Sequence, residues 1–239
     1  MAGITDGKFA LKLIPYGFDT VSIGGYNTDD KTIAAGIKIL QRGRNEFHIE
    51  KKDLKERIEK EINLIKNQYP KVKVSANLRA TSPAPIIDIS KIKNLDIIEL
   101  NCHCRQAELL AINCGQGMLN NPEHLSEFIK EIAKKIKNNQ KLSVKIRANV
   151  ANIDTLAIAK LIEESGADYI HIDAMKPGKA YADLKIIEKI ADETEIFIIG
   201  NNSIVDVETG KKMLDAGASG ISIARAAING KLPFDLNKI

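Results

Sequence analysis

The chain holds three cysteines, and all of them fall in one short stretch: Cys102 and Cys104 flank His103 directly after Asn101, and Cys114 follows ten residues beyond Cys104. A loop thiol with an unperturbed pKa of ~8.5 is mainly protonated near neutral pH and can hand over a proton as a general acid. Thiol nucleophilic catalysis would need a base beside it, which the sequence does not place. His103 itself has no identifiable partner. A zinc or iron–sulfur site would want a second ligand pair at compact spacing; none is present, so no metal is expected. An odd count in a reducing compartment argues against structural disulfides, and the bland alternative is a set of buried, inert thiols.

Further along, Lys145 and Arg147 alternate with Val144 and Ile146 on one apolar run, so the two cations share a face. Charges turned inward are costly unless they meet an anionic ligand or a carboxylate, and Glu99 and Asp173 are the acids within reach of such a face. His171 stands late in another apolar run, as a hydrogen-bonded core residue or as a ligand to something polar. Gly200, Asn201, Asn202 and Ser203 run directly into a helical pattern, and Ala224 with Arg225 opens another, so backbone N–H groups and helix ends could face one anion such as a phosphate. As structure alone, Gly200 and Asn201 would be turn-formers and caps.

These residues share a position: each follows a short Ile/Val/Leu-rich run. Such runs cover residues 20–23, 72–77, 95–101, 142–147, 167–173, 195–200 and 220–224, and helical patterns cover 8–14, 30–41, 54–68, 122–136, 153–164, 182–191 and 205–216. Nearly continuous apolar strands alternating with amphipathic helices describe a parallel sheet covered on both faces. Seven strands fall one short of a (β/α)₈ TIM barrel, so an α/β barrel is expected with its first strand missing or truncated. The rival, an open doubly wound sheet, would carry a Gly-rich fingerprint after its first strand, and none is present. No linker or composition shift divides the 239 residues, so one domain over residues 1–239 is expected. In a barrel the loops after the strands build the site, and here they gather polar groups fit for a polar, anionic ligand.

Composition agrees with an ordinary globular chain, 44% hydrophobic and 28% charged. A formal net charge of +4 spread over acid–base alternating helices is a weak field and does not by itself indicate nucleic acid. No apolar run approaches the ~18 residues of a membrane span, and the first residues are small and polar, unlike a secretory leader. The cytoplasm is the expected compartment.

Taken together in their order and spacing, these segments resemble the tRNA-dihydrouridine synthases, FMN-dependent TIM-barrel reductases related in fold to dihydroorotate dehydrogenases. MAGITD at the start, followed by Phe9, looks like the family's PMAGxTD segment after its first strand. NCHCRQAELLAINCGQGML, from Asn101 to Leu119, is similar without gaps to NxGCPxxxVxxxxxGxxLL, VKIR carries Lys145, and YIHID places His171 on the histidine of VHGR. IGNNSI and GISIARAAI fall on the phosphate-gripping IxNGDI and GVMIGRA.

The resemblance implies a proton-donating Cys104, substrate contacts from Asn101 and Arg147, and FMN held by Ala2, Gly3, Asn77, Lys145, His171, Gly200, Asn201, Asn202, Ala224 and Arg225. It further implies hydride transfer from reduced FMN to C6 of a uracil while Cys104 protonates C5, with NADPH as reductant and tRNA as partner. Several positions depart from the pattern. Asn77 replaces a Gln, Asn202 and Ala224 replace glycines of the phosphate grip, and His103 and Arg105 flank the cysteine where the family has Gly and Pro. The family's first strand and C-terminal helical domain lie outside the segments matched. Two other readings stay open: a flavin reductase of a free pyrimidine or other small molecule, as in dihydroorotate dehydrogenase, and a phosphate-ligand-binding barrel without flavin.

Overall fold

A computed structural model describes residues 2–137 and 139–239; Met1, the first residue of the MAGITD segment, lies outside them. Seven parallel strands form one curled sheet in sequential order: β1 (Thr20–Asn27), β2 (Lys73–Arg79), β3 (Ile97–Cys102), β4 (Lys141–Arg147), β5 (Tyr169–Asp173), β6 (Phe197–Asn201) and β7 (Gly220–Ser222). Every run read from the sequence is a strand, displaced by a few residues at its ends. Between them lie α1 (Gly7–Leu13), α2 (Asp30–Gln41), α3 (Leu54–Lys66), α4 (Pro83–Ile89), α5 (Ala107–Leu110), α6 (Pro122–Ala133), α7 (Thr155–Glu164), α8 (Leu184–Glu193) and α9 (Val207–Asp215). The short α4 has no counterpart in the periodicity, because Pro83 and Pro85 occupy its first turn, where a missing N–H costs nothing.

The sheet buries Ile, Val and Leu side chains beneath the helices while its other face carries polar groups. On β4, Leu142, Val144 and Ile146 are fully buried, and Ser143, Lys145 and Arg147 take the alternate positions. Capping fixes where the helices begin. Asp29 accepts from the Thr32 N–H at 2.8 Å and Thr32 Oγ1 returns a contact to the Asp29 N–H; Asp206 and Thr209 repeat this box at α9.

An eighth strand paired between β7 and β1 is not found among the described residues. Instead Leu13, Ala227 and Leu232 form a small apolar cluster on which Phe9, Phe18, Ile223, Phe234 and Leu236 pack. Phe18 precedes β1 and Ile223 follows β7, so side-chain packing joins the flanks of the two edge strands. The seven strands counted in the sequence are thus the seven paired here, with an apolar seam rather than an eighth strand between β7 and β1 among the described residues.

Candidate active site

Strand register stacks the polar side chains in rows. Asn77 lies opposite Glu99 and Glu99 opposite Ser143; one level nearer the C-terminal ends, Asn101, Lys145 and His171 stand side by side; above them come Arg147, Asp173, Asn201 and Ser222. Parallel pairing thus turns alternate residues of separate segments into neighbours.

The lower rows are knit by buried hydrogen bonds. Asn77 Nδ2 donates to Glu99 Oε1 at 2.7 Å, and Asn101 Nδ2 donates to Asn77 Oδ1 at 2.7 Å. His171 Nδ1 lies 2.7 Å from Glu99 Oε2, and its Nε2 lies 3.2 Å from Lys145 Nζ. An ammonium only donates, so Nε2 accepts and Nδ1–H donates to the carboxylate, which fixes the neutral tautomer. Burial and the Lys145 charge together push His171 below the ordinary histidine range, against the pull of Glu99. Burial opposes ionisation of Glu99 as well, but His171, Lys145 and Asn77 outweigh it and hold the carboxyl far below its usual range.

At the upper row Asp173 is the hub. Its Oδ2 lies 2.6 Å from His103 Nε2 and 3.0 Å from Arg147 Nη2, and its Oδ1 accepts from Asn202 Nδ2 at 2.6 Å. The partner that the sequence did not supply for His103 is this carboxylate. Arg147 Nη2 also lies 3.1 Å from His103 Nε2; a nitrogen that donates to Asp173 cannot accept from Arg147, so both donors converge on the same oxygen. Burial works against the Asp173 charge, yet His103, Asn202 and Arg147 hold its carboxyl far down.

Cys104 sits where the two networks meet. Asn101 Oδ1 accepts from the backbone N–H of His103 at 3.1 Å and of Cys104 at 3.0 Å, and Asn101 Nδ2 lies 3.3 Å from the Cys104 sulfur. Burial raises the thiol pKa, but the Arg79 charge, a hydrogen bond and charge from His103, and the Asn101 amide bring it to about 6. Burial pushes Cys114 up to about 12 and Cys102 well up, and the Cys102 sulfur lies 3.7 Å from that of Met118. Cationic and polar neighbours thus converge on Cys104 and make it more acidic than an ordinary loop thiol.

Glu46 is the residue that sequence reasoning missed, and its partner is Arg79 at the end of β2. Arg79 Nη1 meets Glu46 Oε2 at 2.7 Å, with the two side chains 2% and 1% exposed. Glu46 stands in an irregular segment with no motif to mark it, which also carries Phe47 against the Tyr26 ring at 5.0 Å between centroids. Gly3 packs beneath this segment: a Cβ there would lie 2.6 Å from the Glu46 amide nitrogen.

Residues 200–203, 224 and 225 are placed less uniformly. Gly200 lies against α9, where an added Cβ would meet Met213 at 2.5 Å, and Asn201 Nδ2 donates to the Ser222 carbonyl at 2.7 Å. Asn202 and Ser203 adopt left-handed backbones, φ 106° and 55°, as a glycine in the same place would. Ala224 precedes a short 3₁₀ turn, Arg225–Ala227, and Arg225 is exposed, near enough for its charge to bear on Arg147. Ala2 is half-buried beside Gly3. Among the described residues no cluster of His, Cys, Asp and Glu is arranged to hold a metal ion, and no helix is long and apolar enough to cross a membrane.

Solved structures with related backbones include 2,3-dimethylmalate lyase of the PEP mutase/isocitrate lyase superfamily (TM-score 0.61, 12% identity, 95% of this chain and 75% of that one). FabK from Thermotoga maritima gives a TM-score of 0.51 at 12% identity, over 90% of this chain and 64% of that one. At that identity the likeness shows a TIM-barrel-like α/β fold.

Sequence relatives are more specific. An uncharacterized protein of Methanocaldococcus jannaschii is 36% identical across 100% of this chain and 92% of its own length. A probable tRNA-dihydrouridine synthase of Rhodobacter capsulatus is 22% identical over 64% of this chain and 49% of its own length. The catalytic subunit of dihydroorotate dehydrogenase B (NAD(+)) from Shouchella clausii is 29% identical over 65% and 57%. The chain thus spans about half the length of these last two. The Dus family, described as dihydrouridine synthase, matches from Glu46 to Phe234 in the apolar seam, residues 46–234, and so takes in β2 to β7 with the whole Cys104 network. The chain belongs to the dihydrouridine synthase family.

Proposed function

We propose that this protein is an FMN-dependent reductase of the uracil ring in RNA, with tRNA as the carrier, Cys104 as the proton donor to C5 and NADPH as the reductant. One observation carries the reading: the most acidic of the three thiols sits on the same chain of amides and carboxylate that ends at Lys145 and His171. FMN, when bound, supplies the hydride that reduces the C5–C6 double bond.

The residues present fit such a ligand. Arg147 Nε is buried without a partner, and the Lys145 ammonium meets an imidazole rather than a carboxylate oxygen. Donors in excess at a strand-end mouth suit an electron-rich ring edge. Lys145, His171 and Asn77 would hold the flavin ring; Asn202, Ser203 and Arg225 would flank its phosphate. Asn201 and Gly200 would support that turn from behind.

In the reaction Lys145, held in place by the His171 lone pair, stabilises negative charge as it develops, at no cost of reorientation. Asn101 holds the Cys104 loop in place through two N–H groups, so the sulfur keeps its position while its proton moves. Arg147, on the same row as Asp173, would donate to a carbonyl of the substrate.

The deciding experiment is a visible spectrum of the purified protein with added FMN, followed by reoxidation of the reduced flavin with unmodified tRNA. Cys104→Ala is expected to keep the flavin and slow reoxidation by about 10²-fold or more. A protein that stays colourless with FMN removes the reading.

Likeness to dihydroorotate dehydrogenase B supports a second reading, in which the same site takes a free pyrimidine. RNA affinity separates the two, since phosphate contacts make log K fall with log salt.

A further inference from the structure

Cys104 poses a difficulty that the proposed reaction does not answer. A thiol held toward its ionised form is a poor standing reservoir of protons, and each turnover leaves a thiolate that must be protonated again. Beside it in the chain is His103, whose ring is 23% exposed on one side and bonded to Asp173 on the other.

The surroundings of that ring are specific. From β5, Asp173 takes Nε2 at 2.6 Å; from β4, Arg147 reaches the same carboxylate oxygen at 3.0 Å; after β6, Asn202 holds the second oxygen at 2.6 Å. From its own loop come Cys104 and the Asn101 oxygen that fixes both backbone N–H groups. Asp173 occupies Nε2, which leaves Nδ1 as the second ring nitrogen, and the His103 side chain is among the hydrogen-bonding and charged neighbours that make the Cys104 thiol acidic. A carboxylate behind an imidazole orients the ring and stabilises its protonated form, which is the arrangement of a thiol–imidazole–carboxylate relay.

We propose that His103, seated on Asp173, returns to Cys104 the proton that the thiol gives to the substrate. The inference rests on the reading of Cys104 as proton donor. In the donating step the S–H bond breaks as the C5–H bond forms. In the return step an N–H bond of the imidazolium breaks as S–H re-forms, leaving neutral imidazole; water at the exposed side of the ring then reprotonates it. No electrons are transferred in the return step. His103 acts through Cys104 and is a positioning residue for its proton.

Two measurements test this. The first needs neither flavin nor substrate: the pH dependence of Cys104 alkylation by iodoacetamide, read by peptide mass spectrometry, in the parent, His103→Gln and Asp173→Asn. Both variants are expected to move the midpoint upward, slowing alkylation near pH 6 by about tenfold. Unchanged midpoints in both would overturn the proposal. The second compares one turnover with many, using reduced flavoprotein and tRNA. His103→Ala is expected to keep its first turnover while the steady state falls by about 10²-fold and recovers with added imidazole. A steady state that falls without recovery overturns it too. Failure to bind flavin would sink the proposed function while the alkylation midpoints still decide the His103–Cys104 coupling; flavin turnover with unshifted midpoints would sink the relay alone.

Discussion

Glu99 and His171 are joined by a 2.7 Å hydrogen bond inside the sheet, the Glu99 side chain being 4% and the His171 side chain 5% exposed. Through this bond a buried acid decides which nitrogen of His171 faces Lys145, and hence that a lone pair rather than a second N–H lies beside the ammonium. Glu99→Ala removes the counter-charge for Lys145 and is expected to cost about 3–5 kcal/mol in urea unfolding, as breaking a buried pair does. Glu99→Gln should lose less, because its amide can still accept from His171. Equal losses would mean that the charge, which both variants remove, rather than the cavity that only alanine leaves, sets the cost.

The Arg79–Glu46 pair makes a second stability prediction. Removing Glu46 as Glu46→Ala strands a guanidinium that is 2% exposed, with an expected loss of about 3–5 kcal/mol. The same variant leaves Arg79 free to act on the thiol alone, so Cys104 should remain reactive. A loss below about 1 kcal/mol, the size of a surface pair, would place both groups in water.

Selective thiol chemistry follows from the spread of acidities. At pH 7, brief alkylation is expected to label Cys104, whose pKa is about 6, and to spare Cys114, pushed up to about 12, and buried Cys102. The sign runs with acidity: Cys104 is depressed below an ordinary thiol, so its ionised form helps stabilise the native state at pH 8 and that help is lost as pH falls through 6. Arg79→Met should shift the alkylation midpoint upward, since Arg79 is the largest influence that lowers it. Labelling spread evenly over the three sulfurs would contradict the assignment.

Gly200 yields a prediction that separates packing from ligand binding. An added methyl would meet Met213 at 2.5 Å, so Gly200→Ala is expected to destabilise by about 1–3 kcal/mol by overpacking, with or without flavin. Met213→Ala in the same chain should recover part of the loss, an interaction a double-mutant cycle measures directly. A Gly200→Ala protein of normal stability and weak flavin binding would return the glycine to the phosphate turn.

For the cofactor, Lys145→Ala is expected to weaken flavin binding by about tenfold or more, the loss of one charge-assisted hydrogen bond. A titration of apoprotein with FMN, read at its visible bands, measures it. Unchanged affinity would leave the Lys145 ammonium serving the Glu99–His171 pair alone.

Much of this is legible in the sequence. Strand positions showed because apolar runs such as residues 142–147 are buried on one face, and the inward placement of Lys145 and Arg147 followed from alternation alone. The Cys104 loop stood out by composition. What stayed hidden were relations between distant segments: Asp173 lies 70 residues from the His103 ring it holds, and Glu46 lies 33 from Arg79. No local period encodes such pairs; they exist because register brings the strands level. Two losses have local causes. Helix α4 was masked by its prolines, and the seam at β7 and β1 is made of side chains with no strand pattern to read.

Alternation on β4 has a further consequence for how this protein can change. Deleting one residue ahead of Lys145 would rotate both cations into the greasy layer under the helices and turn Val144 and Ile146 toward the ligand side, ruining interior and pocket in one stroke. Ligand preference in such a scaffold can drift only by swapping side chains at every second position, while the positions between them stay frozen as ballast.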